Sequence, residues 1–299
     1  MKKSAFPTGS ILYDAILSKL FFVVGLSCLV FLLLIMIFLV IEGLPLFKTV
    51  RVSDFLFGTS WYPTYSPPRF GVAPLIIASL AVTLLASVFA VPLSLAVAVY
   101  LAELANPTAK EIIKPVIEII ASIPSVVIGF FGMVVVAPFL QNHFDIDTGL
   151  NMTNAAIMLA FMAVPTIASI SEDAISSVPI SLKEASYALG ANRWQTIFHI
   201  TLPASLSGIW TAIILGISRV IGETMVVLMV AGGAGIIPGS LFDPIRPLTA
   251  NIAAEMAEAA HRGDHYYALF AIAIILFVIT MIFNIIADYL SNKYKFKEM

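Results

Sequence analysis

Ser181-Leu-Lys-Glu184-Ala185-Ser186-Tyr-Ala-Leu-Gly190 runs on to Ile200-Thr-Leu202-Pro203, and then through an apolar stretch past Arg219 and Glu223 to Met229. The reading of the whole chain turns on this stretch. Ser181 and Glu184 have the spacing of a capping box, in which the hydroxyl accepts from the third backbone N–H and the carboxylate reaches back to the N–H of the capping residue itself. Leu182, Ala185 and Leu189 then share one side of the helix this predicts. Gly190 is placed to end that helix in a left-handed conformation. Asn192 with Gln195 is a weaker start signal. Trp194, Ile197 and Phe198 give a second short helix an apolar face, which Pro203 is expected to end. A long apolar helix comes next, with Arg219 and Glu223 deep inside it. A water-facing helix–turn–helix joined to a charged span is the pattern of a gated pathway driven from outside its own chain.

Working outward, the composition fixes the class. The chain is 60% hydrophobic and 11% charged, with a mean hydropathy of +1.00, where a soluble domain carries about 25% charged residues. It is therefore read as an all-α protein of the lipid bilayer. A net charge of −2 gives no reason to expect a nucleic-acid partner. Cys28 stands alone in an apolar run, so no intrachain disulfide can form. Lys2, Lys3 and Lys19 precede an apolar run, as in a signal peptide. Leu20 to Ile41, however, is about 22 residues without a charge, long enough to span and too long for a typical signal-peptide core. It is read as an uncleaved anchor.

Six segments reach spanning length: Leu20–Ile41, Ala73–Leu101, Val116–Leu140, Met152–Ile175, Ser205–Ala231 and Tyr266–Ala287. The expected organisation is a cytoplasmic segment over 1–19, a six-helix transmembrane region over 20–290 containing the helix–turn–helix 181–203, and a cytoplasmic tail over 291–299. Cations set the orientation. With both termini inside, ten of the 16 lysines and arginines face the cytoplasm: Lys2, Lys3, Lys19, Lys110, Lys114, Lys183, Arg193, Lys293, Lys295 and Lys297. Five face out (Lys48, Arg51, Arg69, Arg246 and Arg262), and Arg219 is left in the membrane. The outer loop from Glu42 to Arg69, rich in Pro and aromatic residues, suits an interfacial plug or lid. Gly232-Gly-Ala-Gly235 lacks the context of a phosphate cradle and is read as a flexible turn. Leu248 to Ala260 is read as a short helix at the outer surface.

His261 and His265 stand four apart around Asp264, but Gly263 weakens the helix that would align them and no third ligand is evident. They are read as solvated loop residues, with no metal site. No nucleophile–base signature is present, so an enzyme is not expected.

Arg219 lies about 14 residues, or roughly 21 Å, beyond Ser205, near mid-bilayer, with Glu223 one turn further on the same face. Each such charge costs about 2.5–3.5 kcal/mol. An i, i+4 pair returns only about 0.2–0.5 kcal/mol in water, and Arg before Glu is the poorer order. A water-filled cavity, polar groups from other helices or an anionic substrate must supply the difference. One reading is an ion pair that fixes packing. Another is a substrate pathway, in which the guanidinium fork suits an oxyanion and Glu223 orients Arg219 or accepts from a protonated oxyanion such as hydrogen phosphate.

Two motifs carry a resemblance. Glu184-Ala185-Ser186, then Gly190, then Ile200-Thr-Leu202-Pro203 resembles the EAA loop of permease subunits of bacterial ATP-binding-cassette importers, with Ser186 where Ala is commonest. Arg219-Val-Ile-Gly222-Glu223-Thr224 resembles the R-x-x-G-E-T signature of phosphate-importer permeases, and the adjoining Met225-Val-Val-Leu-Met-Val-Ala-Gly232 is more like the PstC type than its PstA sister. Phe70-Gly-Val-Ala-Pro74, Tyr100-Leu-Ala-Glu103, Ile123-Pro124-Ser125 and Ser240-Leu-Phe-Asp243 agree, so the likeness covers most of the chain from about residue 55 onward. The resemblance implies a six-helix, MetI-like type I importer permease. It implies a sister PstA-type permease, an ATPase dimer holding ATP-Mg, an extracytoplasmic phosphate-binding protein, and inorganic phosphate as substrate, with no cofactor on this chain. It assigns Arg219, Glu223, Thr224 and Ser125 to the substrate pathway. Glu184, Ala185, Gly190, Leu202 and Pro203 are assigned to coupling with the ATPase. The alternatives are a proton-coupled anion transporter, in which Glu223 titrates, and a permease for molybdate or sulfate.

Overall fold

A computed structural model of the chain describes residues 8–293. Lys2, Lys3, Lys295 and Lys297 of the charge argument lie outside the described residues, as do most of the expected tail and the first part of the expected N-terminal segment. In chain order the elements are α1 (Thr8–Gly43), α2 (Val52–Phe57), a hairpin of β1 (Trp61–Tyr62) and β2 (Arg69–Phe70), α3 (Ala73–Val99) and α4 (Pro107–Ala121). Next come α5 (Ser125–Phe131), α6 (Ala137–Phe144), α7 (Met152–Ser176), α8 (Ile180–Ala188) and α9 (Arg193–Thr196). The chain closes with α10 (Leu202–Ile221), α11 (Met225–Val230), α12 (Leu248–Glu255) and α13 (Asp264–Lys293). Single π-turns at Tyr100–Leu104, Gly132–Val136 and Ile197–Thr201 join or extend helices.

Among the described residues six helical stretches are long and apolar enough to cross a membrane, as the composition requires. The first is longer than expected, Ile16–Lys48 and not Leu20–Ile41, and two others are displaced. The third is Ser125–Phe144 and not Val116–Leu140. Pro124 takes an extended conformation, which ends the preceding helix and leaves α4 as a separate amphipathic helix. The fifth is Arg193–Ile221 and not Ser205–Ala231. Pro203 does not stop the helix: it lies in the first turn of α10, just after the π-turn Ile197–Thr201, whose wider winding accommodates the missing N–H.

The core lies between α3, α7 and α10, and small residues let these helices approach closely. Ala78, Ala86, Ala90, Ala155, Ala156, Ala163 and Ala212 are all buried there. Where α10 crosses α7, a Cβ on Gly208 would lie 2.4 Å from Ala174 Cβ, and one on Gly216 2.3 Å from Ile167 Cγ1. Those two glycines hold the helices in contact along the second half of α7. By contrast α1 is exposed along most of its length, with Phe21 and Phe22 each 70% exposed. It meets the bundle near its end, where Phe38 packs edge-on to Phe270 of α13.

A second core forms at the end of the bundle opposite α8 and α9. Leu46, Phe55, Trp61 and Phe70 pack there against Leu248, Leu269 and Ile272. The loop expected to be an interfacial plug is thus folded into this core, with Trp61 only 2% exposed. The glycine stretch is an ordered turn. Gly232 and Gly233 have φ of +87° and +73°, and Gly233 N donates to Ile245 O while Ile245 N donates to Ala231 O. The expected surface helix starts inside the protein: Leu248 to Asn251 are buried, and Leu248 N donates to Ser79 Oγ of α3 at 2.8 Å.

Candidate functional site

The fifth span breaks at the charged motif. Helix α10 ends at Ile221, Gly222 closes it, and α11 begins at Met225. Glu223 therefore sits in the break and not one turn along a continuous helix, and its carboxylate caps α11. Met225 N and Val226 N both donate to Glu223 Oε1, at 3.1 and 3.2 Å. The break is held from the side, where Thr249 Oγ1 on α12 donates to Glu223 O at 2.8 Å. Thr224 Oγ1 donates to Gly222 O across the same turn at 3.3 Å. Irregular backbone at membrane depth is tolerated where protein surrounds it or where it lines a water-filled cavity.

The expected Arg219–Glu223 pair is absent among the described ion pairs. The helix break turns the carboxylate onto the backbone of α11, and Arg219 Nη1 instead donates to Thr166 Oγ1 of α7 at 2.9 Å. Thr166 is 14 residues beyond Met152 and 10 before Ser176, which at about 1.5 Å per residue puts it near the middle of α7. That sets Arg219 level with the middle of α7, although it lies two residues from the end of α10. Its neighbour in space is set by packing: Gly216 presses on Ile167, so the next turn of α10 brings Arg219 beside Thr166. Arg219 remains exposed on the surface of the chain. Beside it Ser218 Oγ donates to Asn284 Oδ1 of α13 at 3.1 Å. Thr166, Arg219, Ser218 and Asn284 form a polar strip across three apolar helices.

Ser125 is the half-buried first residue of α5. That helix packs on α11 through Gly129, where a Cβ would lie 3.3 Å from Val226 Cα and 2.9 Å from Met229 Sδ. Ser125, one turn before this contact, therefore belongs to the same neighbourhood as the break. Thr166 and Asn284 were missed in the sequence. The available signal was a hydroxyl directly after Pro165 and an amide inside an otherwise apolar span.

The helix–turn–helix forms as α8 and α9, with its caps exchanged. Ser181 does not cap, because α8 starts one residue earlier, after Pro179, which has no side-chain oxygen to offer. The weaker signal holds the capping box. Gln195 N donates to Asn192 Oδ1 at 2.9 Å, and Asn192 N donates to Gln195 Oε1 at 2.8 Å. Gly190 has φ +84° and closes a Schellman motif, with Gly190 N on Tyr187 O at 2.9 Å and Ala191 N on Ser186 O at 3.2 Å. Ser186 is buried and its hydroxyl meets Thr196 Oγ1 at 2.9 Å, so the departure from Ala bonds the two helices together. Glu184, Ala185 and Pro203 are exposed and Leu202 half-buried. The apolar residues of the turn point outward, with Leu189 90% exposed and Trp194 54% exposed.

Ion pairs tie the lysine-rich end of the bundle. Glu172 of α7, its side chain 1% exposed, holds Lys110 at 2.5 Å and Lys114 at 2.6 Å, which fixes α4 to α7. Lys114 also pairs with Asp173 at 2.6 Å. Its ammonium pKa is pushed above the ordinary 10.5, first by the hydrogen bond to Asp173 and then by that to Glu172, against a smaller opposing effect of burial. At the other end, Glu255 accepts from Trp61 Nε1 at 2.9 Å and pairs with Arg246 at 2.6 Å and His265 at 2.8 Å. His265 is thus built into the structure and is not a solvated loop residue. Among the described residues no group of three or more His, Cys, Asp or Glu could hold a metal ion.

Comparison with known proteins agrees with this architecture. Residues 90–296 match the family described as binding-protein-dependent transport system inner membrane component. The chain is 40% identical over 263 residues to the probable ABC transporter permease protein YqgH of Bacillus subtilis, covering 87% of this chain and 85% of that one. It is 33% identical over 267 residues to the phosphate transport system permease protein PstC of Pasteurella multocida, covering 82% and 83%. Among solved structures it resembles a chain of a bacterial alginate ABC transporter in complex with an alginate pentasaccharide-bound periplasmic protein. That match has a TM-score of 0.67 at 16% identity and covers 96% of this chain and 97% of that one. It also resembles a chain of the inward-facing MetNI methionine transporter, with a TM-score of 0.58 at 22% identity over 73% and 93%. With six spans, the EAA-like hairpin and this match over most of its length, the chain belongs to the family of binding-protein-dependent transport system inner membrane components, as a multi-pass ABC importer permease and not an enzyme.

Proposed function

We propose that this chain is the PstC-type permease of an inorganic phosphate importer. In this reading it forms half of a pathway with a PstA-type sister. An ATPase dimer carrying ATP-Mg docks on the exposed face of α8 and α9 at the cytoplasmic end, with both termini on that side, and a phosphate-binding protein delivers substrate at the opposite end. The observation that carries the reading is Arg219: a guanidinium at mid-span, exposed on the chain's own surface, hydrogen-bonded to a neutral hydroxyl. A fixed cation without a carboxylate costs several kcal/mol against lipid, whereas facing a subunit interface it presents its remaining donors to an oxyanion. The relatives that carry the PstC name support phosphate among the oxyanions.

Of the two parts its spacing suggested, Glu223 does not orient Arg219, and the acceptor part is the one retained here. With Oε1 engaged on α11, Oε2 has no hydrogen bond among the described residues and is available to accept the proton of hydrogen phosphate, which sulfate lacks. The test is ATP-driven uptake by the assembled importer of phosphate, sulfate and molybdate, for the wild type, Arg219→Gln and Glu223→Gln. The reading predicts phosphate uptake that Arg219→Gln abolishes and that Glu223→Gln weakens. Transport of sulfate or molybdate in place of phosphate overturns the substrate, and full uptake by Arg219→Gln overturns the site. Unchanged uptake by Glu223→Gln removes the acceptor role alone.

A further inference from the structure

The hairpin of α8 and α9 is joined by the chain to two spans: α8 follows α7, and α9 runs into α10. A third attachment is made through Glu103, in the π-turn Tyr100–Leu104 that ends the second span. Lys183 Nζ of α8 lies 2.6 Å from Glu103 Oε1. The guanidinium of Arg193, the first residue of α9, donates to the backbone carbonyl of the same Glu103. One residue of the second span therefore grips both helices of the hairpin. We propose that Glu103 is a positioning residue for energy coupling: it carries the movement of the hairpin to the second span, so that three spans and not two are driven from one docking surface. This rests on the reading that the hairpin receives an ATPase.

Two features make the grip a transmitter of force. The hairpin is a rigid unit, because the turn at Gly190 and the hydroxyl pair Ser186–Thr196 fix one helix against the other. Its large apolar side chains, Leu182, Leu189 and Trp194 among them, point outward, so polar contacts do much of the fastening to the second span. The charged pair is also shielded, with side-chain exposures of 18% for Lys183 and 8% for Glu103. A shielded pair holds one geometry, and loss of one partner strands the other's charge. The second span in turn packs along α7, the helix that carries Thr166. A path of contacts thus runs from the hairpin through Glu103 and α3 to α7 beside Arg219.

The prediction is read as phosphate moved per ATP hydrolysed by the assembled importer in proteoliposomes with the binding protein present. Glu103→Gln with Lys183→Met removes the side-chain tie without stranding a charge, and leaves the bond from Arg193 to the Glu103 carbonyl in place. It is expected to assemble and to lower the ratio about fivefold or more. The swapped pair Glu103→Lys with Lys183→Glu is expected to recover most of the loss. A ratio equal to wild type in the neutral double variant overturns the proposal, as does a swapped pair no better than Glu103→Lys alone. Gly190→Trp is measured beside them. If it uncouples while the neutral double variant does not, Glu103 has no such part and the docking assignment stands. If the wild type shows no ATP-driven uptake, the reading beneath the proposal falls with it.

Discussion

Gly190 offers the sharpest separation of backbone from docking. Its φ of +84° lies in the left-handed region, and a Cβ added there would meet nothing within 4 Å of its own chain. Any effect of Ala at this site is therefore a backbone effect, about 1–2 kcal/mol for an L residue held left-handed. That is about a 5–30-fold shift in the population of the observed turn. Leaving the turn breaks the bonds from Gly190 N and Ala191 N to α8 and changes the angle at which α9 leaves α8. The assay is ATP-driven uptake in proteoliposomes, normalised to the amount of permease recovered with its ATPase. Gly190→Ala should reduce uptake several-fold, and Gly190→Asn, which tolerates the left-handed region better, should lose less. Gly190→Trp carries the backbone cost of Ala and adds bulk that only a docked partner would feel, so it should fall below Ala. Equal loss in Ala and Asn would refute the conformational argument, and Trp no worse than Ala would refute docking at this turn.

Three further outcomes are expected. Thr166→Val keeps the shape of α7 but removes the hydrogen-bond partner of Arg219. Uptake should show a raised KM for substrate with the permease still fully assembled, and an unchanged KM would mean that Thr166 does not orient the guanidinium. Asn192→Ala removes the cap of α9 and should cost about 1 kcal/mol, read as a lower thermal midpoint of the purified permease; Asn192→Ser should retain most of it. Lys114 has a folded pKa above its ordinary 10.5. Its contribution to stability is thus fully present below the unfolded value and is lost only as pH rises through the folded one. The stability difference between wild type and Lys114→Met should be flat through the neutral range and shrink in strong alkali, and a difference that shrinks near neutrality would contradict the assigned pairing.

The number of spans was legible because apolar length is a one-dimensional property. Their ends were not. Whether Pro124 or Pro203 stops a helix depends on the neighbouring backbone: Pro124 lies in an extended break, while Pro203 comes just after a π-turn that lets the helix continue. The break at Gly222 was masked by the apolar residues on both sides, and α11 is capped by the Glu223 carboxylate and not by the hydroxyl of Thr224, the residue type that would signal a start. The charge at mid-depth could be read from composition, but its partner could not, since Thr166 is 53 positions away from Arg219. The same holds for Glu103 with Lys183, 80 apart, and for Glu172 with Lys110, 62 apart. Such pairs depend on which faces meet, and the glycines that decide this, Gly208 and Gly216, look like ordinary small residues of an apolar helix.

The central claim is that the guanidinium at position 219 faces water between subunits. Cys28 is the chain's sole cysteine, so Cys28→Ser with Arg219→Cys carries one thiol at the site. In the assembled importer, a membrane-impermeant charged thiol reagent is predicted to modify position 219 in at least one stage of the ATP cycle. A thiol that stays inert to that reagent in every nucleotide state and reacts only with a lipid-soluble maleimide would contradict the account.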